Sequence, residues 1–272
     1  MTTDPFRNRD HVANFDALVE EYKTRSAATR ASATMLADLA YGEGANEKLD
    51  LFLPEGTAGT RPVHLFIHGG YWRMFSKEDF SYIADTVTAA GAIAAIMDYD
   101  LMPAVRLGAI VGQAQNAIRW LASNVATYGG DPRRLSVSGH SAGAHLASFG
   151  FAAGAGMPEL TGVLLLSGIY DLKPLQASFL QPLIGLTDPE VTLFSPLLLR
   201  HDAASNVTVA FGERETDPFR NQGAKFVAHL AQQGVTATVH MLHGADHMTA
   251  VRDLGVAGSE AAELLARTIA GS

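Results

Sequence analysis

The chain reads as an α/β fold: a mostly parallel central sheet with helices on both faces. Three observations carry that reading. Short apolar runs suited to buried strands alternate with helical stripes along most of the 272 residues. A Gly-x-Ser-x-Gly pentapeptide, Gly139-His140-Ser141-Ala142-Gly143, stands between a β-prone segment (134–138) and a small-residue, helix-compatible one (144–149). A glycine pair, Gly69-Gly70, closes another apolar run (63–67) earlier in the chain.

Each element follows from its pattern. Phe15, Leu18, Val19 and Tyr22 recur at helical spacing and predict an amphipathic helix or helix pair over roughly 12–39. Residues 48–53 alternate polar and apolar and read as a strand, closed by Pro54 and a loop over 55–61. A strand over 63–67, a helix over 80–90 and a buried strand over 93–97 follow. Leu107, Ile110, Val111, Ala114, Ala117, Ile118, Leu121 and Val125 form the clearest helical stripe. Tyr128-Gly129-Gly130-Asp131-Pro132 ends it before the strand that leads to Ser141. Strands over 162–166, 207–211 and 235–242 complete the sheet, with helices at about 219–233 and 249–269. The stretch 171–204 breaks the rhythm and is rich in Pro, Leu and Phe, which suits a small lid-like insertion over the active-site edge. No linker-like boundary divides the chain, so 1–272 is expected to form one domain, with 1–45 as an N-terminal helical segment partly covering the pocket.

Composition narrows the function. Hydrophobic residues make up 47% and charged residues 18%, enough to bury a large core and too little charge for wholesale disorder. A net charge of −8 argues against nucleic acid and anionic membranes as partners. There is no cysteine, which removes disulfides, thiolate catalysis and Cys-based zinc sites. Residues 1–10 are polar and lack the apolar core of a signal peptide, and the longest apolar run elsewhere (89–97) is too short to cross a bilayer. A cytoplasmic protein is the expectation, with a homodimer as an admissible assembly.

A serine between two glycines at a strand-to-helix turn is held in strained backbone that exposes its hydroxyl above the sheet. The hydroxyl needs a base within hydrogen-bond reach, itself oriented by a carboxylate. When such an elbow serine comes first in the chain, the acid and then the histidine follow at the ends of later strands. After the last strand stand His243 and His247. His247 is the better candidate because it sits immediately before the final helix, where it can swing over the elbow. His11, His201 and His229 read as solvated surface residues. After the penultimate strand stand Glu213, Glu215 and Asp217. Glu213 lies almost within the strand, and spacing does not separate Glu215 from Asp217. Gly69 and Gly70, with Ala142 after the nucleophile, offer backbone N–H groups for a developing oxyanion. Asp246 beside His247 lacks the spaced ligand cluster of a metal site, and no glycine-rich phosphate loop follows a strand, so neither metal nor cofactor is expected.

Together these residues resemble the α/β-hydrolase superfamily, and more narrowly its kynurenine formamidases (arylformamidases) and hormone-sensitive-lipase-like esterases, over about residues 46–269. His68-Gly69-Gly70-Tyr71-Trp72 is similar to the formamidase signature, in which an aromatic replaces the third glycine of the esterase motif. Asp98-Tyr99-Asp100-Leu101-Met102-Pro103, Ser167-Gly168-Ile169-Tyr170-Asp171-Leu172 and Ser195-Pro196-Leu197 look like the surrounding formamidase pattern. The resemblance implies a Ser-His-acid hydrolase in which Glu215, followed by Phe219 and Gln222, is the acid. Asp217-Pro218-Phe219, which imitates the esterase pattern, is the alternative. It also implies an aryl formamide such as N-formyl-kynurenine as substrate, with short-chain esters second and a non-catalytic ligand-binding role third. Tyr71, Trp72, Tyr170 and Phe179 are candidates for an aromatic pocket, with core packing as the competing reading.

Overall fold

The computed structural model describes residues 3–56, 59–202 and 206–271. Parts of the loop expected over 55–61 and of the excursion expected over 171–204 therefore lie outside the described residues. In chain order the elements are α1 (Phe15–Ser32), β1 (Met35–Ala40), β2 (Lys48–Phe52), β3 (Arg61–Ile67), α2 (Ala84–Ala89), β4 (Ile93–Met97), α3 (Leu107–Asn124) and β5 (Gly130–His140). There follow α4 (Ala142–Ser148), β6 (Gly162–Leu166), α5 (Gln181–Ile184), α6 (Asp188–Phe194), β7 (Val207–Gly212), α7 (Asp217–Gln232), β8 (Ala237–Leu242), α8 (His247–Asp253) and α9 (Glu260–Ala270).

The eight strands form one sheet in the order β1-β2-β4-β3-β5-β6-β7-β8. β2 runs antiparallel to both its neighbours, and every pairing from β4 to β8 is parallel. Alternation along the strands divides the core into two layers. Leu65 and Ile67 face a layer closed by α3 and α7, through Ile110, Ala117, Leu121, Phe226 and Leu230. Phe66, between them in sequence, faces the other layer with Tyr22, Val87, Leu265 and Ile269. Strands buried on both faces read as continuous apolar runs, which is why β3, β4 and β6 stand out in the sequence.

Three elements differ from expectation. The N-terminal segment is not wholly helical: α1 stops at Ser32, and Met35–Ala40 is an edge strand paired with β2. Its register shifts between Leu36 and Leu39, where Asp38 adopts φ 57° and donates its backbone N–H to Asp50 Oδ1 at 2.8 Å. The bulge interrupts the period-two alternation by which a strand is recognised. The helix expected over 80–90 is two 3-10 turns, Lys77–Asp79 and Ser81–Ile83, and then the short α2. The helix expected over 249–269 is two, α8 and α9; Ser259 caps the second by accepting from Ala262 N at 3.1 Å.

Among the described residues no helix is long and apolar enough to cross a membrane.

Candidate active site

Ser141 sits between β5 and α4 with φ 56° and ψ −118°, backbone that an L-residue rarely adopts. Its N–H donates to Leu166 O at 2.8 Å, which ties the turn to the end of β6. The turn closes because Gly143 lacks a side chain: a Cβ there would lie 2.0 Å from Ile67 O. Ser141 is 2% exposed and lines a cavity of about 340 Å³ together with His247, Gly69 and Gly70.

His247 begins α8. Asp246 caps that helix, its carboxylate accepting from Met248 N at 3.1 Å and Thr249 N at 2.8 Å. This gives Asp246 a task that has nothing to do with a metal. Among the described residues no group of three or more His, Asp or Glu is placed to hold one.

The ring of His247 meets Glu215, Nδ1 to Oε2 at 3.0 Å, with both side chains buried. Glu215 Oε1 accepts from Gly212 N at 2.9 Å and from the Ser167 hydroxyl. Ser167 itself stands at φ 56°, anchored by its N–H to Ala210 O at 2.7 Å. Phe219 packs on the other side of the His247 ring, centroids 4.4 Å apart. An imidazole held at Nδ1 by a buried carboxylate leaves Nε2 to act on a neighbouring hydroxyl.

Asp217 lies elsewhere. It is the first residue of α7, 77% exposed at the side chain, paired with Arg220 at 2.5 Å. There it complements the helix dipole. His243 also points away, exposed and within 3.4 Å of Glu260. Glu213, set aside on spacing, fastens the histidine loop by accepting from Gly244 N at 2.8 Å.

The loop after β3 is folded tightly. Gly70, Tyr71, Trp72 and Phe75 all have positive φ, at 106°, 52°, 57° and 74°. Three of these are large side chains in strained backbone, and such strain persists only where the surroundings over-determine it. Gly70 could not be replaced, since a Cβ would fall 2.4 Å from Met74 O. Beneath the loop His68 is stacked on Tyr99, centroids 4.2 Å apart, and Tyr99 Oη donates to His68 O at 2.9 Å. Burial lowers the His68 pKa to about 4 and raises that of Asp98 to about 6. Their 3.8 Å approach is therefore a contact of a neutral imidazole, not an ion pair. Ala142 starts α4 directly after Ser141 and is fully buried. Gly69 and Gly70, after β3, line the cavity with Ser141, whereas Ala142 is not among its lining residues.

Of the four candidate pocket aromatics, two line the cavity. Tyr71 and Phe179 do so, edge-on to each other at 5.8 Å. Trp72 and Tyr170 are wholly buried and belong to the core. Trp72 Nε1 donates to His145 Nδ1 at 3.3 Å, and Tyr170 stacks on Phe226 at 4.2 Å. Sequence could not sort these, because positive φ at both Tyr71 and Trp72 sends neighbouring side chains in directions that ordinary alternation does not give. His201, expected at the surface, is also buried, between Phe151 and Phe226.

The roof of the cavity comes from residues that spacing did not single out. A strap over 4–10 crosses the site. Asp4 Oδ2 accepts from Phe179 N at 2.5 Å, and Pro5 O accepts from Thr216 Oγ1 at 2.7 Å. Phe6 O accepts from the Tyr71 hydroxyl, and the Phe6 ring meets Phe219 edge-on at 6.0 Å. Gln222 holds the turn after β6, its Oε1 accepting from Tyr170 N at 2.6 Å and Asp171 N at 2.8 Å. Its place in the resemblance was the only sequence signal for it.

Known proteins show the same arrangement of chain. A family model described as BD-FAE matches residues 49–160. Kynurenine formamidase of Danio rerio is 28% identical over 248 residues, spanning 88% of this chain and 83% of that one. The crystal structure of a candidate thioesterase from Silicibacter sp. tm1040 superposes with a TM-score of 0.84 at 25% identity, over 98% of this chain and 97% of that one. An esterase from Pyrobaculum calidifontis superposes at 0.77 with 21% identity, over 94% and 93%. The chain is a hydrolase with the α/β-hydrolase fold, and it is similar to kynurenine formamidases and to esterases.

Proposed function

We propose that Ser141, His247 and Glu215 form a catalytic triad that cleaves a small acyl group from an aromatic leaving group, with N-formyl-kynurenine as the leading substrate. The observation that carries this is the buried Glu215–His247 contact at 3.0 Å, with His247 lining the same cavity as Ser141. His247 takes the Ser141 proton as the hydroxyl attacks the carbonyl carbon. The backbone N–H groups of Gly69, Gly70 and Ala142 receive the oxyanion. His247 then hands its proton to the leaving nitrogen or oxygen, and the C–N or C–O bond breaks. Water, deprotonated by the same imidazole, clears the acyl-serine.

The formyl preference rests on Tyr71, which lines the cavity together with the glycine pair. Trp72, buried away from the cavity, does not add to that lining. With one aromatic rather than two beside the glycine pair, a second reading stands, a carboxylesterase for short-chain esters. A rate comparison decides between them: N-formyl-kynurenine against p-nitrophenyl formate, acetate and butyrate. The formamidase reading predicts a steep fall in kcat/KM from formyl to acetyl to butyryl. A preference for butyryl rejects it in favour of the esterase.

A further inference from the structure

Ser141 has a second imidazole at its side. His140 ends β5, one residue before the nucleophile, and its ring lies against that of His247, centroids 4.6 Å apart. His140 Nε2 stands 2.9 Å from His247 O. A carbonyl oxygen only accepts, so Nε2 carries the proton. Burial, with His247 alongside, holds the His140 pKa well below the ordinary imidazole value. The ring is therefore neutral, and its Nδ1 is a bare acceptor. Nδ1 meets no donor among the described residues. It is not shut in as the unpaired nitrogens of His68 and His201 are, because His140 lines the cavity with Ser141 and Gly69. A glycine fixes where this lone pair stands. A Cβ on Gly69 would lie 3.1 Å from His140 Nδ1 and 3.2 Å from Ser141 Cβ, so one point of the loop after β3 touches both.

A bare lone pair at that place repels a developing oxyanion and gains nothing from an ester, whose leaving oxygen has no hydrogen to offer. A secondary amide has one. As its carbonyl carbon becomes tetrahedral, the nitrogen loses conjugation and turns pyramidal. Its new lone pair must face His247 to receive the proton, which turns its N–H aside. Resting on the hydrolase reading of Ser141, we infer that His140 Nδ1 accepts that N–H, so that His140 is the residue by which this site cleaves amides and not esters alone. The hydrogen bond forms fully only once the nitrogen is pyramidal, so it favours the transition state over the bound substrate. The same ring binds His247 O through Nε2, which holds the acceptor of the N–H and the donor of the proton in one geometry.

The test compares formanilide with phenyl formate, which share acyl group and ring and differ in N–H against O. Both are followed as kcat/KM after subtraction of spontaneous hydrolysis. His140→Phe removes both nitrogens and is expected to lower the amide-to-ester ratio about tenfold to a hundredfold, beyond any loss common to the two substrates. Two further variants separate the nitrogens. His140→Asn places a carboxamide oxygen near the position of Nδ1 and is expected to regain most of the ratio, at reduced rates on both substrates. His140→Gln reaches His247 O with its N–H and is expected to regain ester cleavage relative to His140→Phe while the ratio stays low. These two decide the matter if His140→Phe fails to fold. An unchanged ratio in His140→Phe, a ratio restored by Gln and not by Asn, or an unaltered protein that cleaves phenyl formate but not formanilide overturns the inference and leaves the hydrolase reading standing. Turnover of neither probe by the unaltered protein also overturns it, and the hydrolase reading falls as well if Ser141 resists labelling by a phosphonate ester.

Discussion

At the floor of the cavity Ser141 takes its position from backbone alone, through Gly143 pressed against the end of β3 and an N–H bound to the end of β6, whereas at the roof Pro5 and Phe6 are held by side chains from two distant stretches, Tyr71 and Thr216 with Phe219. The floor is local and rigid, because its contacts are main-chain atoms that no rotamer change can release. The roof is assembled, because Tyr71, Thr216 and Phe219 must all be in place before the strap has anything to hold. The difference teaches where in such a site the chemistry resides and where selectivity does. On the proposed function, the serine that would attack the substrate sits on the rigid floor, and the side chains that would choose among substrates sit at the assembled roof.

Substitutions can break or sharpen that contrast. On the floor, Ser141→Ala is expected to cost about 10⁴-fold or more in kcat while the melting temperature stays within a few degrees. Retained turnover by folded mutant protein removes Ser141 from the mechanism. Glu215→Gln is expected to cost about 10³- to 10⁴-fold and Asp217→Asn less than about threefold, measured as kcat on one substrate. The reverse result would show that Asp217 displaces Glu215 in solution.

Ser167→Ala tests whether the acid needs its own support. Loss of the hydroxyl that donates to Glu215 is expected to cost about tenfold in kcat with KM little changed, and Ser167→Thr is expected to recover part of it. If KM alone moves, Ser167 positions substrate and not the acid. On the roof, Tyr71→Phe removes a hydroxyl bound to Phe6 O and Asn8, and it is expected to raise KM a few-fold with kcat nearly intact. A loss as large as that of Glu215→Gln would erase the distinction between floor and roof.

The smallest effect on rate, and a clear one on stability, comes from buried imidazoles. Burial lowers the pKa of His64 to about 3 and those of His68, His145 and His201 to about 4. Below the ordinary imidazole value near 6.5 the unfolded chain binds protons that the folded one does not, so stability falls as pH falls. Each is worth on the order of 1–2 kcal/mol between pH 6.5 and 5. Asp98, raised by burial to about 6, and Asp85, also raised by burial, work in the opposite direction but are two groups against four. The melting temperature is expected to drop by at least about 10 °C from pH 7 to pH 5. A flat profile would mean that these rings find partners in solution.

The same contrast sets how much was legible. Strands β3 to β7, the elbow and the chain order of Ser141, Glu215 and His247 are written locally, as apolar runs and as turns that demand glycine. Choosing between Glu215 and Asp217 is not a matter of spacing. It depends on Pro218 starting a helix that turns Asp217 out to Arg220 while Ser167 and Gly212 hold Glu215 inward. Trp72 and Tyr170 carried no sign of which way they face, because orientation there is decided by positive φ in one loop and by a stack on Phe226 in the other. β1 was hidden by its bulge. Cover of the pocket by the N-terminal segment was expected, but not its form as a strap over 4–10, because the partners of that strap lie far away in the chain.

That distance has a consequence for the order of events during synthesis. Residues 4–10 leave the ribosome early, yet Thr216 and Phe219, which hold Pro5 and Phe6, are made some 210 residues later. Tyr22 likewise waits for the carbonyl of Met248, 226 positions on. The nascent chain can therefore build β2 to β6 around an elbow that has neither base nor roof. The cavity closes only when the last quarter of the chain arrives, so an unfinished chain holds Ser141 on its elbow before His247 and Thr216 exist to complete the walls.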